Sequence, residues 1–565
     1  MRTVLLCAAV CLSLPACGSS EAANPAPQQE TPDASAQPDA GEQEAAVESG
    51  ADASEAVEPQ PPSACDVLGL PAVPFVEDAE TTALHGTAAD FTVPTTDGEF
   101  GLKASWTGCD SVLIIQDVPK QEAGWTPALW SRDVNTLFTR LPKNVQLLFV
   151  STQTDAAKVT AALDGLKALV DEQLAKMSLE DAAWWQGRVH YVTTPATQLP
   201  GWVGTLMKSP GWGIGIDRRQ RIRFIGSYAD PTRYDSTQQW FAPNLSMVAN
   251  EAVYYNYEAE REARLAAQNA TVVPVFKGEK LEDPGWAGTR GYADVTLPDE
   301  ATMQGFDTLE ADLHLGCVGG GELGDCPAWD YDVFLYLCDK TDPTQCNVEF
   351  AHWITTYHRE GRWVHDLTPL LPLLAKGGTR RFAFYTQQPY EVTLSLRLSS
   401  QGKAVRPVAT TYLFGGGNFN AAYNAQYSPV TLQVPADAKK VEISMIATGH
   451  GGVQPGNCAE FCRTTHDFLV NGTKNERQLA PEAGSQYGCM NQIEDGTVPN
   501  QYGTWWYGRS GWCPGKQVSM YSIDITDQVK LGQDNVFEYE GFYNGAPYPS
   551  DGAVIRMDSW LVVSK

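Results

Sequence analysis

YEVTLSLRL, residues 390–398, puts Val392, Leu394, Leu396 and Leu398 on one side of an extended chain and Glu391, Thr393, Ser395 and Arg397 on the other. A period of two marks a strand with one buried and one solvated face. Similar short runs recur from Thr271 onward: DTLEADLHL, YDVFLYLC, RRFAFYT, VTLQV, KKVEISMIA, DFLV, VFEYEGF and AVIRMDSWLVV, separated by Gly, Pro, Asn and Asp. Regular spacing without helical periodicity predicts antiparallel sandwiches. About 295 residues exceed one ordinary sandwich, so two are expected, 271–404 and 405–565.

Upstream the pattern changes. From about residue 65 to 245, apolar runs typical of buried strands, SVLIIQ (111–116) and VQLLFVS (145–151), alternate with helical patterns, notably Ala156 to Lys176. ADFTVPTTDGEFGLKASW reads as one hairpin and GWGIGIDRRQRIRFIGSYAD as another. This order, with the phrases DFTVPTTDG and GIDRRQRIRFIG, resembles the thioredoxin-like fold of peroxiredoxins and thiol-disulfide proteins. The chemistry of that family needs a low-pKa Cys at a helix N-terminus after the first core strand. The corresponding stretch, QDVPKQEAGWTPALW, has none, so a redox-silent spacer or interaction module is expected. A charged helical pattern over 246–270 links it to the sandwiches.

The chain of 565 residues carries 40 Lys+Arg against 68 Asp+Glu, a net charge of −28. Such a field repels phosphate backbones, which excludes nucleic acid as a partner. The opening MRTVLLCAAVCLSLPAC has a short basic start and a mostly apolar stretch too short to span a bilayer, as in a signal peptide over 1–16. Leu14-Pro15-Ala16-Cys17 resembles the lipobox of bacterial lipoproteins, which implies lipidation at Cys17 and an exported protein at the outer membrane or cell surface. Residues 18–64 hold ten acids, no base and no aromatic residue, the composition of a disordered tether. The lipid is the expected membrane contact, and the protein is expected to be a monomer.

Removing Cys7, Cys11 and Cys17 leaves ten cysteines, an even number suited to an oxidising compartment. By position they form local pairs: Cys65 with Cys109, Cys317 with Cys326, Cys338 with Cys346, Cys458 with Cys462, and Cys489 with Cys513. Position does not fix the connectivity.

Two segments carry candidate chemistry. In GCVGGGELGDCPAWDYDVFLYLC, Asp330 follows a Cys-bounded loop at the mouth of a strand; in GHGGVQPGNCAEFCRTTH, Glu460 lies inside Cys-Ala-Glu-Phe-Cys. Two carboxylates held by clamped loops on facing domains suit acid–base hydrolysis, where geometry must be tightly fixed.

At these residues the chain resembles the peptide-N-glycosidase F family across about 290–563. CPAWDYDVFLYL and ITTYHREGRWVHDLTPLLPLL are similar to its N-terminal jelly roll, and NCAEFCRTTHDFLVNG and YGTWWYGRSGWCPG to its C-terminal one. The resemblance implies two eight-stranded antiparallel jelly rolls with the site in the cleft between them. It also implies hydrolysis of the amide joining an N-linked glycan to asparagine, giving aspartate and a glycosylamine, with no cofactor and no metal. Asp330 and Glu460 match the family's catalytic acids; Arg509 and Trp512 match residues that contact substrate, with Trp329 and Tyr331 beside Asp330. This chain departs at Tyr331, where the family has Arg, at Pro389, where it has a sugar-stacking Trp, and at Gln387, where it has a third acid. Gln keeps the reach of Glu but neither its charge nor its basicity. Glu391 could compensate only by swinging inward.

The leading expectation is an amidase using Asp330, Glu460 and Gln387; the alternative is a lipoprotein that binds N-glycopeptides in the same cleft without cutting them. A third reading draws on related paired jelly rolls that bind copper, and would use His450, His466, Met445 and Met490, or His352, His358 and His365. Spacing of that kind is common by chance.

Overall fold

The computed structural model describes residues 63–565 except 80, 118–128, 209–212, 283–287, 322–323, 453–457 and 481. The signal peptide, Cys17 and nearly all of the acidic tether lie outside the described residues. No helix among the described residues is long and apolar enough to cross a membrane.

A seven-stranded sheet opens the described chain, in the order Gly98–Gly101, Thr92–Thr95, Val189–Val192, Val145–Val150, Ser111–Gln116, Gly213–Ile216, Ile222–Phe224. The strands Val189–Val192, Val145–Val150 and Ser111–Gln116 run parallel, and Gly213–Ile216 returns antiparallel. The strands Ser111–Gln116 and Val145–Val150 are buried throughout. Their continuous apolar runs serve both faces: Leu113 and Ile115 enter the core beneath the helix Ala156–Leu174, while Val112 and Ile114 meet Val93, Phe100 and Trp202 on the other side. That helix begins at Asp155, whose carboxylate accepts the Lys158 amide and satisfies one of the free N-terminal donors.

The helix Ala249–Ala267 falls where a linker was expected, but it is a packed element. Glu251, Tyr254, Tyr255, Glu258 and Arg261 are buried. Its charges look solvent-facing in sequence because their partners are remote. Glu251 receives both guanidinium nitrogens of Arg359 at 3.0 Å, the Gly226 amide at 2.9 Å and the Asn500 amide side chain at 2.9 Å. Gly226 is required there, because a Cβ would stand 2.2 Å from the Asn500 carbonyl. One hydrophobic core consequently runs from Leu113 and Phe149 through Tyr255 to Leu313, Trp353 and Trp363.

Beyond this helix the chain forms two β-sandwiches, and the protein is multidomain and mostly β. The first pairs a sheet ordered Thr271–Leu281, Tyr390–Ser399, Thr308–Gly316, Gly361–Asp366 with one ordered Thr289–Asp299, Gly377–Thr386, Asp332–Leu337, Val348–Ile354, Lys516–Gln517. The alternation in Tyr390–Ser399 sends Val392, Leu394, Leu396 and Leu398 into the core. The second pairs Pro407–Asn418, Ala553–Ser564, Lys440–Gly451, Tyr521–Asp524 with Val430–Gln433, Asp534–Tyr543, Thr464–Val470, Thr473–Leu479, around its own core of Leu413, Phe414, Phe468 and Tyr539. The chain passes from one to the other between Ser399 and Pro407.

One strand departs from this partition. Lys516–Gln517 belongs by sequence to the second sandwich but pairs with Ile354 and Trp353 of the first. The Trp363 indole donates to the Gly515 carbonyl at 3.0 Å, and the Val518 amide to the His352 carbonyl at 2.9 Å. Two residues are too few to show a period of two.

The five cysteine pairs expected from position are the five disulfides formed.

Where the sandwiches meet, Asp558 faces a cavity of about 290 Å³ lined by Val348, Leu373, Tyr412 and Trp560. Burial and the charge of Glu349 push its carboxyl up to about 7, against the Glu349 backbone N–H and the Tyr412 hydroxyl. A raised carboxyl contributes stability that is fully present below its unfolded pKa of ~4 and is lost as pH rises through the folded value. Asp558→Asn is therefore expected to stabilise the protein at pH 8 by up to ~4 kcal/mol and to change little at pH 4. Urea titrations at the two pH values check this, and equal effects at both would contradict it.

Candidate active site

Asp330 sits where the loop closed by Cys317 and Cys326 enters the strand Asp332–Leu337. Its backbone is clamped by Thr355, whose hydroxyl donates to the Trp329 carbonyl at 2.6 Å and accepts the Tyr331 amide at 2.8 Å. The His358 amide closes the same loop on the Pro327 carbonyl at 2.8 Å. These bonds aim Asp330 at the second sandwich.

From that sandwich comes Glu460, inside the small ring closed by Cys458 and Cys462. The Ala459 amide bonds to the Gly451 carbonyl at 3.0 Å and the Ser510 amide to the Glu460 carbonyl at 2.7 Å, which fixes the backbone beneath the carboxylate.

Arg509 lies between the two acids. Its Nη2 is 3.3 Å from Asp330 Oδ2, and its Nε is 3.8 Å from Glu460 Oε1. Its side chain is 1% exposed. The guanidinium also donates to the carbonyls of Thr504 and Tyr507 at 3.2 and 2.8 Å and to the Tyr357 hydroxyl at 3.3 Å. It lies 5.0 Å from the ring centre of Trp512.

Burial pushes the Asp330 carboxyl above the usual carboxylate range, against the Arg509 cation and a Tyr357 hydrogen bond. Burial likewise pushes up Glu460, with Arg509 opposing and the Asp330 charge assisting. The Asp330 charge disfavours ionisation of Glu460, so the two titrations are coupled.

Arg509 and Trp512, expected to contact substrate, are both buried. Trp512 donates its indole N–H to the Gly449 carbonyl at 2.9 Å and stacks on His450 at 5.2 Å. These contacts hold the indole beside Arg509. Trp329 is 55% exposed and offers the open aromatic surface beside Asp330; Tyr331 is half-buried. Gln387 occupies the turn after Gly377–Thr386, half-buried. Glu391 does not swing inward, because its strand pairing sets it opposite Lys280, 3.8 Å from the ammonium.

Sequence reasoning missed Thr355, Tyr357 and Asp332 as parts of this site, and considered His450 only as a copper ligand. Nothing in the local pattern around Thr355, Tyr357 or Asp332 marks them out. His466, considered for copper, is buried between Thr464 and the Tyr539 hydroxyl at 3.0 and 2.6 Å. Among the described residues no group of three or more His, Cys, Asp or Glu side chains is arranged to hold a metal ion.

Two opposed carboxylates joined by a buried arginine, one from each of two sandwiches, define a paired-acid cleft. Residues 418–564 match the family described as peptide-N-glycosidase F, C terminal. It is 28% identical over 265 residues to peptide-N(4)-(N-acetyl-beta-D-glucosaminyl)asparagine amidase F of Elizabethkingia miricola, covering 42% of this chain and 70% of that protein. Among solved structures, a peptide-N(4)-(N-acetyl-beta-D-glucosaminyl)asparagine amidase is 18% identical with a TM-score of 0.43, covering 53% of this chain and 96% of that one. PNGF-II is 16% identical with a TM-score of 0.41, covering 54% and 67%.

Proposed function

We propose that this protein is an amidohydrolase that cleaves the glycan–asparagine amide of N-linked glycopeptides or glycoproteins. The observation carrying the proposal is the position of Arg509, within 3.3 Å of Asp330 and 3.8 Å of Glu460. One clamped carboxylate comes from each wall of the cleft, and burial raises both. The similarity to an asparagine amidase supports the same reading.

Amide hydrolysis needs a base for water and a proton for the leaving nitrogen, and paired acids with different environments divide those roles. Asp330, ionised against Arg509, takes a proton from water as its oxygen attacks the asparagine side-chain carbonyl. The carbon–nitrogen bond then breaks, and the proton passes to the sugar amine. The products are aspartate and a glycosylamine. Glu460 positions and stabilises the reacting centre, Gln387 contributes hydrogen bonds, and Trp329 and Tyr331 face the substrate. Activity is expected to fall as pH drops through the raised carboxyl values, because the base is then protonated.

The domain plan proposed is a signal peptide over 1–16, a tether lipidated at Cys17, a thioredoxin-like domain over 65–245, and two jelly rolls divided near residue 405. The parallel core of the first sheet with its antiparallel return supports the thioredoxin-like reading. Five disulfides support export to an oxidising compartment.

Gln387 in place of an acid favours the second reading, a protein that binds glycopeptides without cutting them. Incubation with denatured N-glycoproteins and short glycopeptides, followed by mass spectrometry, separates the two. Conversion of Asn to Asp supports the amidase, and intact glycopeptide retained on the protein supports the binder.

The Cys458–Cys462 ring spans a sequence separation of only 4, so its chain-entropy contribution falls at the low end of ~2–4 kcal/mol. Replacing both cysteines with Ala is expected to reduce glycan release far more than it lowers the melting temperature. Proportionate losses would make the ring a general staple.

A further inference from the structure

Two residues beyond Asp330, Asp332 stands where the sandwiches meet, its side chain 12% exposed. Its partners come from both walls. From the first sandwich, His352 Nε2 lies 2.9 Å from Oδ1, and the other nitrogen of that ring lies 3.2 Å from Glu349. From the second, Arg556 Nε lies 3.1 Å from Oδ2, and His450 Nε2 lies 3.5 Å from Oδ1. The other charged neighbour on its own segment is Asp330, and His365 is the remaining titratable group near His352. A buried carboxylate persists only where cations and donors offset its desolvation. Here those groups are split between two sandwiches.

Contacts lead from Asp332 to the acids. His450 faces Asp332 with its edge and stacks its ring on Trp512; Trp512 underlies the guanidinium of Arg509; Arg509 reaches Asp330 and Glu460. A shift of Asp332 therefore reaches the arginine that spaces the two acids.

We propose that Asp332 is a positioning residue of the amidase reaction, fastening His450 and Arg556 of the second sandwich to His352 of the first and so fixing the separation of Asp330 and Glu460. This inference rests on the amidase reading. Electrostatics agree with the geometry. Burial opposes the charge on Asp332, yet His450, His352 and Arg556 hold it well below the usual carboxylate range. Burial likewise opposes the charge on His352, yet Glu349 and Asp332 push that imidazole up to about 9. Burial pushes His450 down to about 4, with the Asp332 charge opposing.

Asp332→Asn keeps volume and removes charge. In the full chain it is expected to lower kcat ~10- to 100-fold on an N-glycopeptide with KM within ~3-fold, the scale of sub-ångström misplacement of reacting groups. Because the Asp332 charge also raises Asp330 and Glu460, the acid limb of the pH–rate profile should move to lower pH. The His352 titration, followed by proton NMR, should fall by at least ~1 pH unit. Simple interface glue would cost melting temperature and leave the pH profile of the folded fraction in place. If Asp332→Asn fails to fold, Arg556→Gln tests the same tie from a side chain that is 47% exposed, with a ~3- to 10-fold loss in kcat expected. An active wild type whose folded variants keep full kcat and an unmoved pH profile overturns the role of Asp332 alone. A wild type that converts no glycopeptide overturns the amidase reading and this role with it.

Discussion

Asp330→Asn should lower glycan release at least ~100-fold, the usual scale for losing a catalytic acid or base. The substitution keeps the volume of the side chain and most of its hydrogen bonding. Folding should survive, because burial already disfavours the ionised carboxylate and an amide carries no such cost. Glycopeptide affinity should survive as well, since Trp329 and the clamped backbone at Thr355 are untouched. On the amidase reading, Gln387→Glu is expected to act in the opposite direction, raising turnover by restoring an acid at the position where the family has its third. Rates of Asn-to-Asp conversion on one glycopeptide, measured for wild type and both variants, decide the matter. A wild type indifferent to Asp330→Asn would move the chemistry to other residues. A wild type and a Gln387→Glu variant that both leave every glycopeptide intact would remove the amidase reading.

Glu251→Ala is expected to cost ~3–5 kcal/mol, the penalty for leaving one member of a buried ion pair without its partner. Glu251 is 0% and Arg359 1% exposed. Without the carboxylate, the guanidinium loses the paired charge of Glu251, and the carbonyls of Pro499 and Phe224, at 2.6 and 3.4 Å, do not replace it. The Gly226 amide and the Asn500 side chain lose an acceptor in the same step. These groups belong to the N-terminal sheet region, the first sandwich and the segment leading to Arg509. Guanidinium titration followed by tryptophan fluorescence should therefore show one transition displaced as a whole. Loss of the N-terminal signal alone at low denaturant would show that the parts are only loosely joined.

Much of this architecture is written locally in the chain. The alternation in Tyr390–Ser399 and the uniform apolarity of Ser111–Gln116 each follow from burial on one face or two. Cysteine neighbours in sequence are partners in space. Asp330 and Glu460 stand out because each is set in a short Cys-bounded segment. The rest depends on encounters that no local pattern records. Asp332 looks like the wet half of a strand's alternation until His450 and Arg556 arrive from another sandwich. The charges of Ala249–Ala267 suggest a solvated helix, yet Glu251 and Arg261 are buried against remote partners. Trp512 sits in a motif that implied substrate contact, yet it has the burial of a core residue. Its indole is committed to Gly449 and its face to His450.

The short strand Lys516–Gln517 limits how this cleft can move. The segment that carries Arg509 and Trp512 continues directly into the sheet of the opposite wall. Gly515, in the left-handed region at φ 71, makes the turn, and its amide lies 3.2 Å from the Ile354 carbonyl. A hinge between the sandwiches would have to break these ladder bonds and the Trp363 contact at each opening. On the amidase reading, accommodation of a large glycoprotein would then fall to the substrate, whose glycosylated asparagine would have to reach the cleft on an extended, locally unfolded segment. On the amidase reading, flexibility around each glycosylation site, more than the size of the attached protein, would rank substrates by rate.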